Sequence, residues 1–99
     1  MTNHPKEEML DKVPLIVEMA CDQMQSDYRL VGRIPQFSIK LPKEVKRSIR
    51  RTSKETGMTR GSAKVIFATN VEIQMAYHLR APAEINVECK RGTLYFTFS

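Results

Sequence analysis

The stretch "PQFSIKLPKEV", residues 35–45, decides how the chain is read. Apolar Phe37, Ile39 and Leu41 alternate with polar Gln36, Ser38 and Lys40, the two-residue period of a half-buried strand. Pro42 ends the alternation, and a basic run begins at once. The pattern predicts a strand over 36–41 with one face built to be buried and the other built to meet something polar.

Downstream, Pro42 suits a helix start, where its missing N–H costs nothing. "KEVKRSIRRTSKET" predicts a helix over 43–56, with Val45 and Ile49 four apart and Thr52 and Thr56 continuing a thin apolar row. Gly57 ends it and Thr59 is a good N-cap for a second helix over 60–79. In that helix Ala63, Val65, Ile66, Phe67 and Ala68 point in several directions, as in a helix buried on most sides. Val71, Ile73, Met75, Tyr77 and Leu79 also alternate like a strand, so helix and strand both stay open for 71–79. Pro82 closes the region. "INVECKRGTLYFTF" predicts a hairpin over 85–98, with Lys90, Arg91, Gly92 and Thr93 in the turn and Leu94, Phe96 and Phe98 on one apolar face.

Upstream, residues 1–11 read as a loose polar tail. Residues 13–25 read as a helix with Pro14 in its first turn and an apolar stripe of Leu15, Val17, Met19 and Met24. Residues 26–35, with Gly32 and Pro35, read as a connector. The organisation expected is a tail and helix over 1–33, a core over 34–80 and a hairpin over 81–99. At 99 residues the chain supports one domain with a limited core, so self-association is an expected supplement.

The formal charge of +5 is unevenly spread. Residues 1–27 hold two Lys against six Asp or Glu, a net −4, whereas residues 43–64 hold eight Lys or Arg against two Glu, a net +6. A basic block of that density beside an alternating strand points to a polyanion such as nucleic acid. Cys21 and Cys89 form neither a metal motif nor a disulfide framework, and His4 and His78 have no ligand partner nearby in sequence. No Ser–His–Asp set or paired carboxylates stand out, so the expectation is a non-enzymatic protein without metal or cofactor. No apolar run is long enough to span a membrane and no secretory leader is evident, so the expected setting is the cytoplasm.

A strand followed by two helices, with "GMTRGS" (57–62) between them, resembles the ribbon-helix-helix family of DNA-binding proteins, and locally its Arc-type phage repressors most closely. The resemblance covers about residues 34–66. It implies a bacterial or phage transcriptional repressor, associated with the nucleoid and acting as a homodimer or higher even oligomer on double-stranded DNA. Two copies of the strand would form an antiparallel ribbon in the major groove. Position by position, it makes Gln36, Ser38 and Lys40 base-reading. It assigns phosphate contact to Thr59, Arg60, Gly61, Lys43 and Arg47, and a dimer core to Phe37, Ile39, Leu41, Val45 and Ile49. The chemistry is compatible, since Gln pairs with adenine and Lys with guanine, and a helix start binds anions. Lys46, Thr52 and Lys64 depart from the pattern by standing where the family tends to place apolar residues.

Two alternatives follow from the same residues. Helix, strand, helix, tight turn, helix and hairpin is also the order of a winged helix-turn-helix, with residues 85–98 as the wing. The alternating strand would equally serve an antitoxin, inhibitor or other adaptor that pairs with another protein's sheet edge. Residues 13–25 or 85–98 are further places for a protein partner.

Overall fold

The pairing of the strand at 37–40 organises the computed structural model, which describes residues 4–31, 36–79 and 85–98. Its elements in chain order are α1 (Pro5–Leu10), α2 (Val13–Val31), β1 (Phe37–Lys40), α3 (Lys43–Thr56), α4 (Arg60–Leu79), β2 (Ile85–Lys90) and β3 (Thr93–Phe98). The architecture is α+β: helices packed on one face of a three-stranded antiparallel sheet of order β1-β3-β2. β1 pairs with β3 of its own chain, placing Phe37 opposite Phe96, Ser38 opposite Tyr95, Ile39 opposite Leu94 and Lys40 opposite Thr93. The strand expected over 36–41 is regular only over 37–40, but the Leu41 amide still donates to the Gly92 carbonyl at 2.9 Å.

The inner face of the sheet carries Phe37, Ile39, Val87, Leu94 and Phe96, and the Phe37 and Phe96 rings stack at 4.7 Å. Ile39, Leu41, Val45 and Ile49, the residues assigned by resemblance to a dimer core together with Phe37, are buried inside this single chain. Their cover comes from the chain's own hairpin and helices.

The two central helices fall where the sequence places them. α3 ends on Gly57 at φ +79, whose amide donates to Ser53 O at 3.1 Å. α4 begins under Thr59, whose hydroxyl accepts from the Ser62 amide at 3.0 Å. The open choice at 71–79 resolves as helix. One correction concerns how α4 is buried. Ala63, Phe67, Val71 and Met75 repeat every four residues and form a single inward row beside Ala68, while Val65 and Ile73 face out. The alternation at 71–79 misleads because Val71 and Met75 belong to the buried row whereas Ile73 and Tyr77 are exposed.

The N-terminal stretch differs more. Residues 5–10 are helical rather than loose, with Pro5 in the first turn, Glu7 and Glu8 favourably near the helix start, and Met9 buried. The apolar stripe of α2 agrees with the expected one at Val17 and Met24 and departs from it at Leu15 and Met19. Val13, Ile16, Val17, Ala20 and Met24 are buried at helical spacing, whereas Leu15 and Met19 are exposed, Leu15 by 49%. The helix also continues to Val31 through most of the expected connector, and Gly32, Pro35 and Pro82 lie outside the described residues. One core cluster draws on all three stretches of the chain, from Met9 and Ile16 through Phe67 to Val87 and Phe96. Among the described residues, no helix is long and apolar enough to cross a membrane.

Thr52 ties the N-terminal helix to this core. It is fully buried, with its hydroxyl 2.7 Å from Ser48 O and 3.1 Å from Pro5 O. A Thr52→Val substitution keeps the shape and removes the tie, so unfolding stability falls by about 1–2 kcal/mol. Hydrogen exchange over residues 5–10 rises with it. Denaturant titration and exchange of the variant check both effects, and a variant as stable as the parent contradicts this role.

Candidate nucleic-acid interface

The basic residues of α3 lie on one broad face with two edges. At one edge, Arg51 turns to the N-terminal helix, bonding Glu8 at 2.9 Å and, one turn on, Glu55 at 2.9 Å. Glu55 and then Glu8 hold its guanidinium more firmly protonated than usual. At the other edge, Lys46 and Arg50 turn toward α4 and the hairpin. There they meet Arg60, Lys64 and Arg91 around an open cleft of about 270 Å³, floored by Leu41 and Ile49. Five cationic side chains from three separate elements thus converge, and among the described residues no carboxylate lines the cleft. None of the five is in an ion pair among the described residues.

Local geometry explains the convergence. The hairpin closes through a two-residue turn in which Arg91 has φ +51 and Gly92 φ +75, the signature of a type I′ turn. Gly92 serves two purposes. It adopts the left-handed conformation, and it leaves room for Lys46, since a Cβ there would sit 2.7 Å from Lys46 Cε. The Lys46 stem therefore crosses the turn, and the Leu41 amide holds the same turn through Gly92 O. On the facing side, α4 starts with Arg60 in its first turn. Thr59 occupies the next amides, with Ser62 N–H on its hydroxyl and Ala63 N–H on its carbonyl. The positive end of the α4 dipole adds to the charge around the cleft.

The residues expected to touch DNA are dispersed over this surface. Of Thr59, Arg60, Gly61, Lys43 and Arg47, only Arg60 lines the cleft. Thr59 is engaged as the helix cap, Gly61 lines a second groove beside α4, and Lys43 and Arg47 are exposed on α3. Gln36, Ser38 and Lys40 are exposed. Gln36 and Ser38 border a shallow depression with Tyr95 and Thr97, apart from the basic cleft. Arg91 is the functional candidate that sequence reasoning missed, because "KRGT" reads first as a turn. The available signal was an Arg where type I′ turns prefer Asn, Asp or Gly.

Cys89 lies half-buried in the second groove, which adjoins the cleft at Lys64. Burial pushes its thiol up, and the Lys64 charge opposes this more weakly. Among the described residues, no group of His, Cys, Asp or Glu is arranged to hold a metal ion. No protein-family model, no curated protein and no solved structure matches the chain.

A non-glycine residue in the left-handed region costs roughly 1–2 kcal/mol, so Arg91 is held at an energetic disadvantage beside four other cations. Arg91→Asn fits the turn better and removes the charge. The expected outcome is a fold more stable by about 1 kcal/mol and weaker binding to a polyanion such as heparin. Thermal melts paired with binding isotherms check it, and a variant that loses stability contradicts the strain assigned to this position.

Proposed function

We propose that this chain binds duplex DNA through the face made by α3, the start of α4 and the Arg91–Gly92 turn, and acts as a transcriptional repressor by occupying its site. The observation that carries this reading is the convergence of Lys46, Arg50, Arg60, Lys64 and Arg91 on one cleft that no carboxylate lines among the described residues. Isolated surface lysines are common, but five cations brought together by a turn, a helix start and a helix face repel one another. That arrangement costs stability unless an anion offsets it. The chain order of helices and strands and the sheet order β1-β3-β2 favour the winged helix-turn-helix arrangement, with α3 and α4 as the helix pair and the hairpin as the wing. In that mode α4 enters the major groove and the turn lies along the flanking backbone.

The ribbon reading keeps one supporting observation. Gln36, Ser38 and Lys40 are exposed on or beside a strand whose second edge has no partner strand among the described residues. A second copy paired along that edge would form a ribbon, and the chain would then act as a dimer. The two modes assign base reading to different residues and so separate cleanly.

If all five cations of the cleft meet phosphates, the salt slope is about −4.5, and affinity falls roughly 500-fold between 50 and 200 mM salt. Arg60→Ala and Arg91→Ala each lower the slope by about 1 and weaken specific and random duplexes alike. Gln36→Ala with Ser38→Ala leaves affinity within about twofold on the winged-helix reading, whereas a lost base pairing would cost about 1–3 kcal/mol on a selected site. Isotherms on a site selected from a random pool and on random duplex, over a range of salt, decide it. Binding indifferent to salt overturns the proposal. Loss confined to the Gln36/Ser38 variant transfers base reading to the strand.

A further inference from the structure

Charge does not account for the outward face of α4. Opposite its buried row lie Gly61, Val65 and Thr69, and Val65 is 64% exposed, with Ile73 continuing the row at 59%. Gly61, Lys64, Val65, Ala68 and Thr69 form one wall of an open groove of about 430 Å³, and Val87, Glu88, Cys89 and Lys90 of β2 form the other. Lys64 lines both this groove and the basic cleft. A backbone phosphate seated in the cleft therefore brings the neighbouring surface of the same ligand onto the Gly61–Val65–Thr69 row.

We propose that this row recognises A·T-rich duplex by contact with the thymine 5-methyl group, with Val65 as the principal contact and Thr69 beside it. The proposal rests on the DNA reading above and adds which base feature is read. An α-helix with its side chains measures about 10–12 Å across, which matches a major groove of about 12 Å. Discrimination of guanine or adenine by paired hydrogen bonds requires Arg, Lys, Asn or Gln. The outward positions 61, 62, 65 and 69 carry Gly, Ser, Val and Thr instead. The Ser and Thr hydroxyls bond either kind of base edge. What remains is the isopropyl group of Val65, and the apolar feature displayed in the major groove is the thymine methyl. Gly61 has nothing closer than Thr59 Oγ1 at 3.8 Å from where a Cβ would sit, so the backbone at the helix start is open to close approach. The cations at the cleft supply the charge complementarity that selects DNA over an apolar protein surface as occupant.

The test uses the full chain at one fixed salt concentration and three duplexes: alternating dA–dT, the same polymer with uracil in place of thymine, and alternating dG–dC. Burying one methyl group is worth about fourfold in affinity, so two contacts predict about 16-fold tighter binding to the thymine duplex than to the uracil one. Val65→Ala, at an exposed position, keeps the melting temperature, shrinks that ratio to about fourfold and leaves dG–dC binding unchanged. Equal affinity for the thymine and uracil duplexes overturns the methyl contact and leaves the DNA reading standing. A thymine preference that survives in Val65→Ala also overturns it, by removing Val65 from the contact. No binding to any of the three overturns the DNA reading itself. Self-association that disappears in Val65→Ala, with thymine and uracil bound equally, assigns the face to a second copy and overturns the proposal.

Discussion

The return of β3 to β1 is the constraint on which the rest of the molecule depends. β2 and β3 alone would be a two-stranded hairpin, which is marginal in water. Pairing β3 with β1 makes a third strand and stacks Phe37 on Phe96 and, at 5.8 Å, on Phe98. It also closes the apolar face over which α4 lies. The same pairing fixes the position of the turn. Because Lys40 is opposite Thr93, the Arg91–Gly92 turn falls at the end of β1, beside the first turn of α3, and the Leu41 amide secures it there. The charged cleft is thus a consequence of register. A slip by one residue would turn Phe96 outward and carry Arg91 away from Lys46.

The distribution of charge follows the same division. The N-terminal helix α1 sits against the edge of α3 that bears Arg51, and its Glu8 engages that guanidinium, whereas α2 packs on α4. The opposite edge, with Lys46 and Arg50, faces the cleft. Among the described residues, the acidic segment meets the basic one through the Glu8–Arg51 pair, and no ion pair reaches the cleft. An exposed ion pair such as Arg51–Glu8 contributes little to stability. Its effect is on the field, since it cancels the Arg51 charge and leaves unpaired cations of α3 on the side of the cleft.

Much of the local structure was legible in the sequence and most of the long-range structure was not. The strand, both central helices, the Gly57 stop, the Thr59 cap and the hairpin follow from period, capping and turn chemistry, all of which act between near neighbours. The partner of β1 does not, because alternation specifies which face is buried and is silent on what buries it. Phe37, Ile39 and Leu41 read equally well as a dimer core or as the inner face of an intrachain sheet. The stripe of α2 failed at two positions for a related reason: Leu15 and Met19 are as apolar as Ile16 and Ala20, and only the position of α4 chooses between the rows. Arg91 was hidden because its significance lies in what the turn packs against. The three misfits to the ribbon-helix-helix pattern were better signals than they looked. Lys46 and Lys64 line the cleft, and Thr52 is buried because its hydroxyl reaches Pro5.

The edges of the sheet bear on how such a chain would meet a partner. The outer edge of β2 is partly closed, since the Val87 amide donates to a Glu72 carboxylate oxygen at 3.0 Å across from α4. A side chain that occupies an edge amide opposes addition of another strand there. β1 offers an edge of four residues, followed two positions on by Pro42 and carrying exposed Lys40. Short length, a flanking proline and an outward lysine are all features that discourage edge pairing. The main-chain donors and acceptors that would drive strand exchange are therefore few, while the charge that would drive polyanion binding is concentrated and uncompensated. Recognition through side chains on α3, α4 and the turn uses what the fold leaves available, and recognition through the β1 edge would work against how that edge is protected.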